Sequence, residues 1–253
     1  MVIRIMKVKT GIVGLDKLLT GGIPQDSVVL LSGSAGSGKT IFSLQFLIEG
    51  ARSKERCLFL TFEETKEKIF DQAKQFGWDL DALQKKKYFE IKPISGLGII
   101  NILESIKNAI NTFKPDRMVI DSITFMSLAA SSMKSPIDLE STNVAEIYER
   151  IEDSAHTIND EGLVLRKLMT DFVKILQLKN ITALLTSEVP RESVWYSRDT
   201  LTEFACDGII NLKSTSIGSD LQRTIEVVKM RNTKINGGVY TFDFTKKGIK
   251  LDI

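Results

Sequence analysis

An eight-residue run rich in glycine and serine reads Gly33-Ser34-Ala35-Gly36-Ser37-Gly38-Lys39-Thr40. It matches the Walker A pattern in full, in which backbone N–H groups turn inward around phosphate oxygens. An apolar run typical of a buried strand precedes it at residues 28–31, and a helical pattern follows, so the helix offers its positive end to the same anion. We therefore predict a nucleotide-phosphate loop in which Lys39 reaches the β- and γ-phosphates and the Thr40 hydroxyl ligates Mg²⁺.

Outward from this loop, short apolar runs alternate with longer helical patterns. Strands are predicted at residues 28–31, 57–62, 118–120, 181–185 and 208–212. Helices are predicted after Thr40, from about 65 to 76, over 99–113 and over 168–176. This alternation predicts an α/β fold with a mostly parallel central sheet flanked by helices.

The C-terminal part of the chain has a different pattern. Residues 224–230 and 239–244 are predicted strands, and no helical pattern separates them. The turn-rich connection Asn236-Gly237-Gly238 favours an antiparallel hairpin. No repeat or linker divides the 253 residues, so we predict a single domain over residues 1–253.

Composition narrows the class of protein. The chain is 43% hydrophobic and 26% charged with a formal charge of +2, which is typical of a globular protein and shows no basic block. Cys57 and Cys206 stand far apart beside apolar runs, so they are expected as buried thiols of a cytoplasmic protein. The single histidine, His156, excludes a site built from several histidines. No apolar run approaches the length of a membrane span, so a soluble protein is expected.

Acidic residues follow two of the predicted strands. Asp121 ends the apolar run Met118-Val119-Ile120, which is the Walker B arrangement that places a carboxylate beside the magnesium shell. Glu63 and Glu64 follow the predicted strand that ends at Phe62, next to the phosphate-loop strand, where open parallel sheets form active sites. In one interpretation, one of these two carboxylates activates the attacking water. In the other, the pair is a solvated charge pair at the start of a helix, where the helix dipole favours acidic residues. Sequence alone leaves both interpretations standing.

Two more polar clusters lie at predicted strand ends. Thr186-Ser187-Glu188 is placed to sense the γ-phosphate or the water, or else to cap a local turn. Lys229-Met230-Arg231 ends the first strand of the hairpin. Its two basic residues are either part of a functional site or an ordinary exposed basic pair. The polar segment at residues 131–161 is expected as a surface excursion or as a partner-binding element.

These motifs together resemble the KaiC-like branch of the RecA superfamily, which includes archaeal RadA-like paralogues. The likeness runs through nearly the whole chain. It rests on Thr10-Gly11-Ile12-Val13-Gly14-Leu15-Asp16, Gly21-Gly22-Ile23-Pro24, Thr61-Phe62-Glu63-Glu64-Thr65, Phe76-Gly77-Trp78-Asp79-Leu80, Lys229-Met230-Arg231-Asn232-Thr233 and Lys247-Gly248-Ile249.

The resemblance implies a RecA-type ATPase that hydrolyses MgATP between the subunits of a ring, most often a hexamer. It implies that Glu63 is the catalytic base and that Glu64 is its partner. It also implies that Lys229 and Arg231 act on the γ-phosphate of the neighbouring subunit, with Met230 and Thr233 close to the shared nucleotide. Glu188 is expected beside the nucleotide of its own subunit.

Two positions depart from the family pattern. Asn232 replaces a glycine, and Ile235 stands where a histidine lies near the base, so phosphate contacts are better specified than base contacts. Two roles for the ATP cycle follow from the resemblance. One is a RadA-like role in recombination or repair on single-stranded DNA. The other is a KaiC-like signalling scaffold or autokinase that acts on protein partners.

The DNA hypothesis has one suggestive cluster in the sequence. Trp195 and Tyr196 lie between Arg191 and Arg198, and stacking rings with nearby cations are what a single strand requires.

Overall fold

The computed structural model describes residues 5–95, 98–131, 161–218 and 220–253. The strands are β1 Lys7–Val8, β2 Ile23–Pro24, β3 Val28–Gly33, β4 Cys57–Thr61, β5 Phe89–Pro93, β6 Arg117–Asp121, β7 Thr182–Glu188, β8 Gly208–Ile217, β9 Asp220–Met230, β10 Val239–Thr245 and β11 Gly248–Leu251. The helices are α1 Leu15–Leu18, α2 Lys39–Arg52, α3 Lys66–Gln75, α4 Leu80–Lys85, α5 Ile99–Phe113, α6 Ile123–Ser131, α7 Glu161–Leu178 and α8 Thr202–Ala205.

Nine of these strands form one sheet, in the order β11-β10-β9-β8-β3-β7-β6-β4-β5. Strand β3 lies between β7 and β8 and is parallel to both, and β4, β5 and β6 continue the parallel part. Strands β8 to β11 then pair antiparallel in sequence order. The α/β class, the mostly parallel sheet and the antiparallel C-terminal pairing are confirmed.

The antiparallel part is larger than the predicted hairpin. Strand β8 runs to Ile217 rather than ending at residue 212, and it pairs with β9 along its whole length. Lys213, Thr215 and Ser216 are polar and exposed, so this part of β8 lacks the apolar run that marks a buried strand. The predicted hairpin is therefore the middle of a four-stranded antiparallel edge.

Each face of the sheet is covered by its own hydrophobic cluster. Val29 and Leu31 face one cluster, together with α2 and the C-terminal strands, and Val28 and Leu30 face the other, together with α5 and α7. A strand buried on both faces has no polar alternation, which is why residues 28–31 read as a continuous apolar run. Both cysteines are buried and free, and burial raises the pKa of each thiol, so both remain protonated.

The strand order places a crevice at the carboxyl end of β3. The connection after β3 crosses over β7 and β6 to reach β4, whereas the connection after β7 leads to β8 on the other side of β3. Ligands of open α/β sheets bind at such a switch point, outside the carboxyl ends of the strands. The predicted phosphate loop lies at this point.

Two sequence predictions fall on residues outside the described part. They are the role of residues 132–160, which form nearly all of the predicted excursion, and the partner-binding alternative for the same segment. Among the described residues, no helix combines the length and the apolar character needed to cross a bilayer.

Candidate functional site

The phosphate loop joins β3 to α2 and requires glycine at two positions for different reasons. Gly36 and Gly38 have φ values of 72° and 104°, a region that L side chains rarely adopt. At Gly38 a Cβ atom would lie 2.7 Å from the ring of Phe244, whereas at Gly36 it would meet nothing within 4 Å. Gly38 thus allows the loop to pack against an aromatic ring, and Gly36 keeps the open side of the loop clear.

Lys39 lies inside its own loop. Its ammonium group donates hydrogen bonds to the carbonyl oxygens of Gly33 and Ser34, both at 2.9 Å. Burial lowers the pKa of Lys39, and the nearby carboxylates of Glu188, Asp121 and Glu63 oppose that shift. A cation held by two carbonyls beside an anion site is placed to move onto a phosphate oxygen.

Thr40 and Asp121 meet at the mouth of the loop. The Thr40 hydroxyl donates to Asp121 Oδ2 at 2.9 Å, and the Thr186 hydroxyl donates to Asp121 Oδ1 at 2.6 Å. Burial raises the pKa of Asp121, while these two hydrogen bonds lower it. Both carboxylate oxygens are therefore oriented by hydroxyl groups from β7 and α2.

Glu63 and Glu64 enter the same crevice from the end of β4. Ser122 Oγ donates to Glu63 Oε1 at 2.9 Å, and Gln72 Nε2 donates to Glu64 Oε2 at 2.6 Å. Burial raises the pKa of Glu64, and the charge of Asp121 raises it further. Helix α3 is capped by the next residue, Thr65, so the two acids precede the helix and face the crevice instead of forming its first turn.

These groups surround one cavity of about 360 Å³. It is lined by Ala35, Gly36, Gly38, Lys39, Thr40, Ile41, Thr61, Glu63, Glu64, Gln72, Asp121, Ser122, Glu188 and Phe244. Among these described residues there are four carboxylates and one cation. The side chains that line the cavity therefore carry too little positive charge to balance a nucleoside triphosphate.

The residues predicted to act on the nucleotide of their own chain lie together around this cavity. Glu188 lines the cavity, and its backbone N–H donates to Thr124 Oγ1 at 2.9 Å. The neighbouring Ser187 is buried and accepts a hydrogen bond from the Arg198 backbone instead. Of the tripeptide at residues 186–188, the threonine and the glutamate contribute to the site.

The residues predicted to act on the nucleotide of a neighbouring subunit lie outside this cavity. Lys229 donates to the carbonyl oxygens of Glu203 and Cys206, at 3.3 and 2.6 Å, and Arg231 pairs with Asp207 at 3.2 Å. Burial lowers the pKa of Lys229, and the neighbouring Arg231 lowers it further.

The two other residues predicted beside a shared nucleotide also lie outside the cavity. Met230 is buried against Gly208, where a Cβ atom would lie 2.7 Å from the Met230 side chain. Thr233 Oγ1 is buried without a hydrogen-bond partner among the described residues. None of the four residues at positions 229–231 and 233 lines the cavity of its own chain.

Sequence reasoning missed five residues that line the cavity: Ile41, Thr61, Gln72, Ser122 and Phe244. Ser122 holds Glu63, Gln72 holds Glu64, and Phe244 packs against Gly38. Ser122 had a signal, since it follows Asp121 directly. Gln72 lies eight residues beyond Glu64 on a helix, and Phe244 lies in the C-terminal strands, so only the folded chain places them here.

The oxygen donors fit Mg²⁺ held jointly with a nucleotide. No cluster of three or more His, Cys, Asp or Glu side chains suited to a metal occurs within the described ranges. Thr40 and Asp121 instead supply one hydroxyl and one carboxylate, both hard oxygen donors. Mg²⁺ is commonly bound by one or two such groups together with substrate phosphates and waters.

The chain is similar to known proteins along nearly its whole length. The family model described as "ATPase: KaiC" matches residues 8–140 and 147–252. A circadian clock oscillator protein KaiC of Parathermosynechococcus lividus is 31% identical over 98% of the chain, but the match covers 42% of that protein. The chain thus spans less than half the length of this relative.

Two other similar proteins match along nearly their full length. A UPF0273 protein of Methanocaldococcus jannaschii is 32% identical, covering 96% of the chain and 95% of that protein. The crystal structure of a KaiC-like protein of Pyrococcus horikoshii superposes with a TM-score of 0.77 at 28% identity, covering 99% and 100% of the two chains. The chain belongs to the KaiC family of ATPase domains, within the RecA superfamily.

Proposed function

We propose that this domain binds MgATP at the phosphate loop and hydrolyses it at an interface between copies of the chain. The observation that carries the proposal is the convergence of Lys39, Thr40, Asp121 and Glu63 in one cavity at the carboxyl ends of parallel strands. Family membership implies ATP binding. Hydrolysis and assembly are our inference from the site.

Each side chain has a role that follows from its position. Lys39 binds the β- and γ-phosphates, and Thr40 and Asp121 hold Mg²⁺, which neutralises charge on the phosphate oxygens. Glu63 orients and activates the attacking water. It is the more exposed of the two glutamates, and Ser122 fixes its carboxylate, while Glu64 is half-buried and tied to α3 by Gln72. Glu188 completes the acidic wall beside the γ-phosphate.

The charges that line the cavity favour a site that is completed by a second copy of the chain. Four carboxylates and one lysine line the cavity, and ATP adds further negative charge. Further positive charge is therefore expected from Mg²⁺ and from a neighbouring copy of the chain. Arg231 is half-exposed, at 52%, and lies away from its own cavity, so it is available to a neighbouring subunit. An arginine supplied across an interface stabilises the charge of the transition state. A closed ring, most simply a hexamer, repeats this contact at every interface.

The direct test of nucleotide binding is Lys39→Ala. We expect the variant to lose at least about tenfold in MgATP affinity, because charge-assisted hydrogen bonds to phosphate contribute about 1.5–3 kcal/mol. Calorimetric titration with a non-hydrolysable ATP analogue measures it. Lys107→Ala, an exposed lysine on α5, is the matched control and should bind as the wild type does. Equal affinity in both variants would contradict the assignment.

A role on single-stranded DNA is supported by one surface. Trp195 is 47% exposed, and it lines a groove of about 660 Å³ with Tyr196 and Arg191. Ser34 of the phosphate loop lines the same groove, so a ligand there would contact the loop that holds ATP. Arg198 is exposed but does not line the groove.

Trp195→Ala is expected to weaken binding of a labelled oligothymidylate about tenfold, since stacking contributes about 1–3 kcal/mol per base. Phe204→Ala removes a more exposed ring on α8, 64% accessible, and serves as the control. Fluorescence anisotropy at two salt concentrations measures both variants, and affinity must fall as salt rises. No DNA binding by the wild type with or without ATP would favour the other role, a nucleotide-dependent scaffold or autokinase for protein partners. Residues 131–161 are the segment proposed to contact such a partner.

A further inference from the structure

Arg231 lies at the end of the sheet opposite the phosphate loop. It follows β9, whose last residue, Met230, pairs with Gly208 at the start of β8. Strands β8 and β3 are parallel, so Arg231 lies near Val28, the first residue of β3, whereas the phosphate loop begins at Gly33, the last residue of β3. At a rise of about 3.3 Å per residue, the two ends of β3 are roughly 17 Å apart. Arg231 is therefore far from the nucleotide site of its own chain.

Asp207 holds Arg231 in this position through both its side chain and its backbone. Arg231 Nη1 donates a hydrogen bond to Asp207 Oδ1 at 3.2 Å. The backbone N–H of Arg231 donates to the carbonyl oxygen of Asp207 at 2.8 Å. A guanidinium group has five N–H donors, so the bond to Asp207 leaves other donors for phosphate oxygens. Asp207 can therefore keep its contact while Arg231 binds a phosphate.

The second oxygen of the Asp207 carboxylate is held by two other elements of the fold. Asp207 Oδ2 accepts hydrogen bonds from the backbone N–H of Val28 at 3.0 Å and from Gln177 Nε2 on α7 at 2.8 Å. The backbone N–H of Asp207 also donates to the Val28 carbonyl oxygen at 2.8 Å. The side chain of Asp207 is 17% exposed, whereas that of Arg231 is 52% exposed. A fixed, largely buried carboxylate thus orients a cation that reaches the surface.

The two cations at the end of β9 are held in different ways. Lys229 Nζ donates to the backbone carbonyl oxygens of Glu203 and Cys206, which are neutral groups. Arg231 has a carboxylate partner, and charged hydrogen bonds are shorter and stronger than neutral ones. The orientation of Arg231 therefore depends on the charge of a single side chain, that of Asp207.

We infer that Asp207 is a positioning residue for ATP hydrolysis in the neighbouring subunit, because it holds Arg231 in the orientation in which the guanidinium meets the γ-phosphate bound by the next chain. This role rests on the proposed function, in which Arg231 acts across the interface. An arginine that is free to change rotamer must be ordered in every turnover, and a misplacement of about 1 Å can cost about 10²-fold in rate. Asp207 itself does not touch ATP, so it affects the rate of hydrolysis and leaves the affinity for MgATP unchanged.

Asp207→Asn tests this role with the smallest change in shape. The amide oxygen still accepts the hydrogen bond from Val28, but the amide nitrogen is a donor and cannot hold the guanidinium of Arg231. We expect kcat to fall about tenfold, as for the loss of one hydrogen bond to a charged group, while KM for MgATP stays within about twofold of the wild type. Asp71→Asn, which removes the exposed ion pair with Lys74 on α3, is the matched control and should keep the wild-type kcat. Steady-state phosphate release over a range of ATP concentrations measures both constants.

Mixing with Lys39→Ala gives a result that damage to the fold would not give. Lys39→Ala lacks a working phosphate loop, but it presents an intact Asp207 and Arg231 to its neighbour. If Asp207 acts on the next chain, an equal mixture combines a working loop with an intact pair at about a quarter of the interfaces, so about a quarter of the wild-type activity should appear. That activity exceeds the activity of Asp207→Asn alone at the same total protein concentration. If Asp207 matters only to its own loop, the mixture should show about half the activity of Asp207→Asn alone.

Gln177→Met is a second variant in case Asp207→Asn does not fold or assemble. It removes one donor to Asp207 Oδ2 with little change in side-chain length, and it leaves Asp207 and Arg231 in place. We expect kcat to fall about threefold with KM unchanged, because the carboxylate keeps its bond from Val28. An equal mixture with Lys39→Ala should keep the activity of Gln177→Met alone, whereas an effect confined to its own chain would halve it.

The possible failures are distinguishable. A kcat of Asp207→Asn within about twofold of the wild type overturns the positioning role while the proposed function stands. A higher kcat would mean that Asp207 restrains Arg231, and a lower kcat that mixing only halves would place the defect in the chain's own site, so either result also overturns it. A wild-type domain that hydrolyses no ATP, or an Arg231→Ala variant as active as the wild type, overturns the proposed shared site, and the role of Asp207 with it.

Discussion

Replacing Arg231 with alanine is expected to lower the ATP turnover rate by about 10³- to 10⁵-fold, the range for loss of an arginine that stabilises phosphoryl-transfer charge. ATP affinity should change far less, because Lys39 and the loop backbone still bind the phosphates. The side chain pairs with Asp207 in its own chain and is 52% exposed. Exposed ion pairs contribute about 0–1 kcal/mol, so the melting temperature should hardly move. Steady-state phosphate release and thermal unfolding measure the two quantities.

Mixing two inactive variants tests whether Arg231 acts in trans. Lys39→Ala keeps Arg231, and Arg231→Ala keeps the phosphate loop. In rings assembled at random from equal amounts, about a quarter of the interfaces combine an intact loop with an intact arginine, so about a quarter of wild-type activity should return. Arg52→Ala, an exposed arginine at the end of α2, is the control and should remain active. A mixture without activity, or a monomer that hydrolyses ATP at the full rate, would refute the shared site.

Replacing Glu63 with glutamine should reduce turnover by about 10²- to 10⁴-fold, the contribution of a positioned general base. The amide keeps the size of the side chain and its hydrogen bond from Ser122, but it cannot take a proton from water. MgATP should still bind, so a non-hydrolysable analogue should titrate as in the wild type. Single-turnover hydrolysis and calorimetric titration measure the two effects.

Glu64→Gln is the matched comparison, because it alters the adjacent carboxylate in the same way. Glu64 is half-buried and bonded to Gln72 on α3, so its loss should cost less than the loss of Glu63. Full turnover by Glu63→Gln, combined with a dead Glu64→Gln, would exchange the roles of the two residues.

The order of elements was predictable where local patterns are strong. Residues 28–31, 57–61 and 118–120 form strands covered on both faces, so their apolar runs are continuous and easy to recognise. Gly33 to Thr40 had a motif whose spacing is set by the backbone itself. The polar half of β8 has no such signal, and only its pairing with β9 makes it a strand.

The site was predictable to a similar extent. Asp121 and the pair Glu63 and Glu64 follow buried strands, and parallel strands bring their carboxyl ends to one edge, so their meeting was expected. The family resemblance selected Glu63 over Glu64 and assigned Arg231 to a neighbour. Both of these roles remain predictions.

The sequence by itself was enough to predict a phosphate-binding loop at Gly33 to Thr40, because a loop followed by a helix N-terminus makes such a site from consecutive residues. Only the tertiary structure decided what surrounds the loop. Strand β3 lies between β7 and β8, so residues about 150 to 210 positions away, including Glu188 and Phe244, reach the same cavity. Such long-range neighbours are selected by sheet order and register, which no local pattern encodes. The loop defines an anion site, and the sheet around it supplies the acidic wall and the aromatic ring.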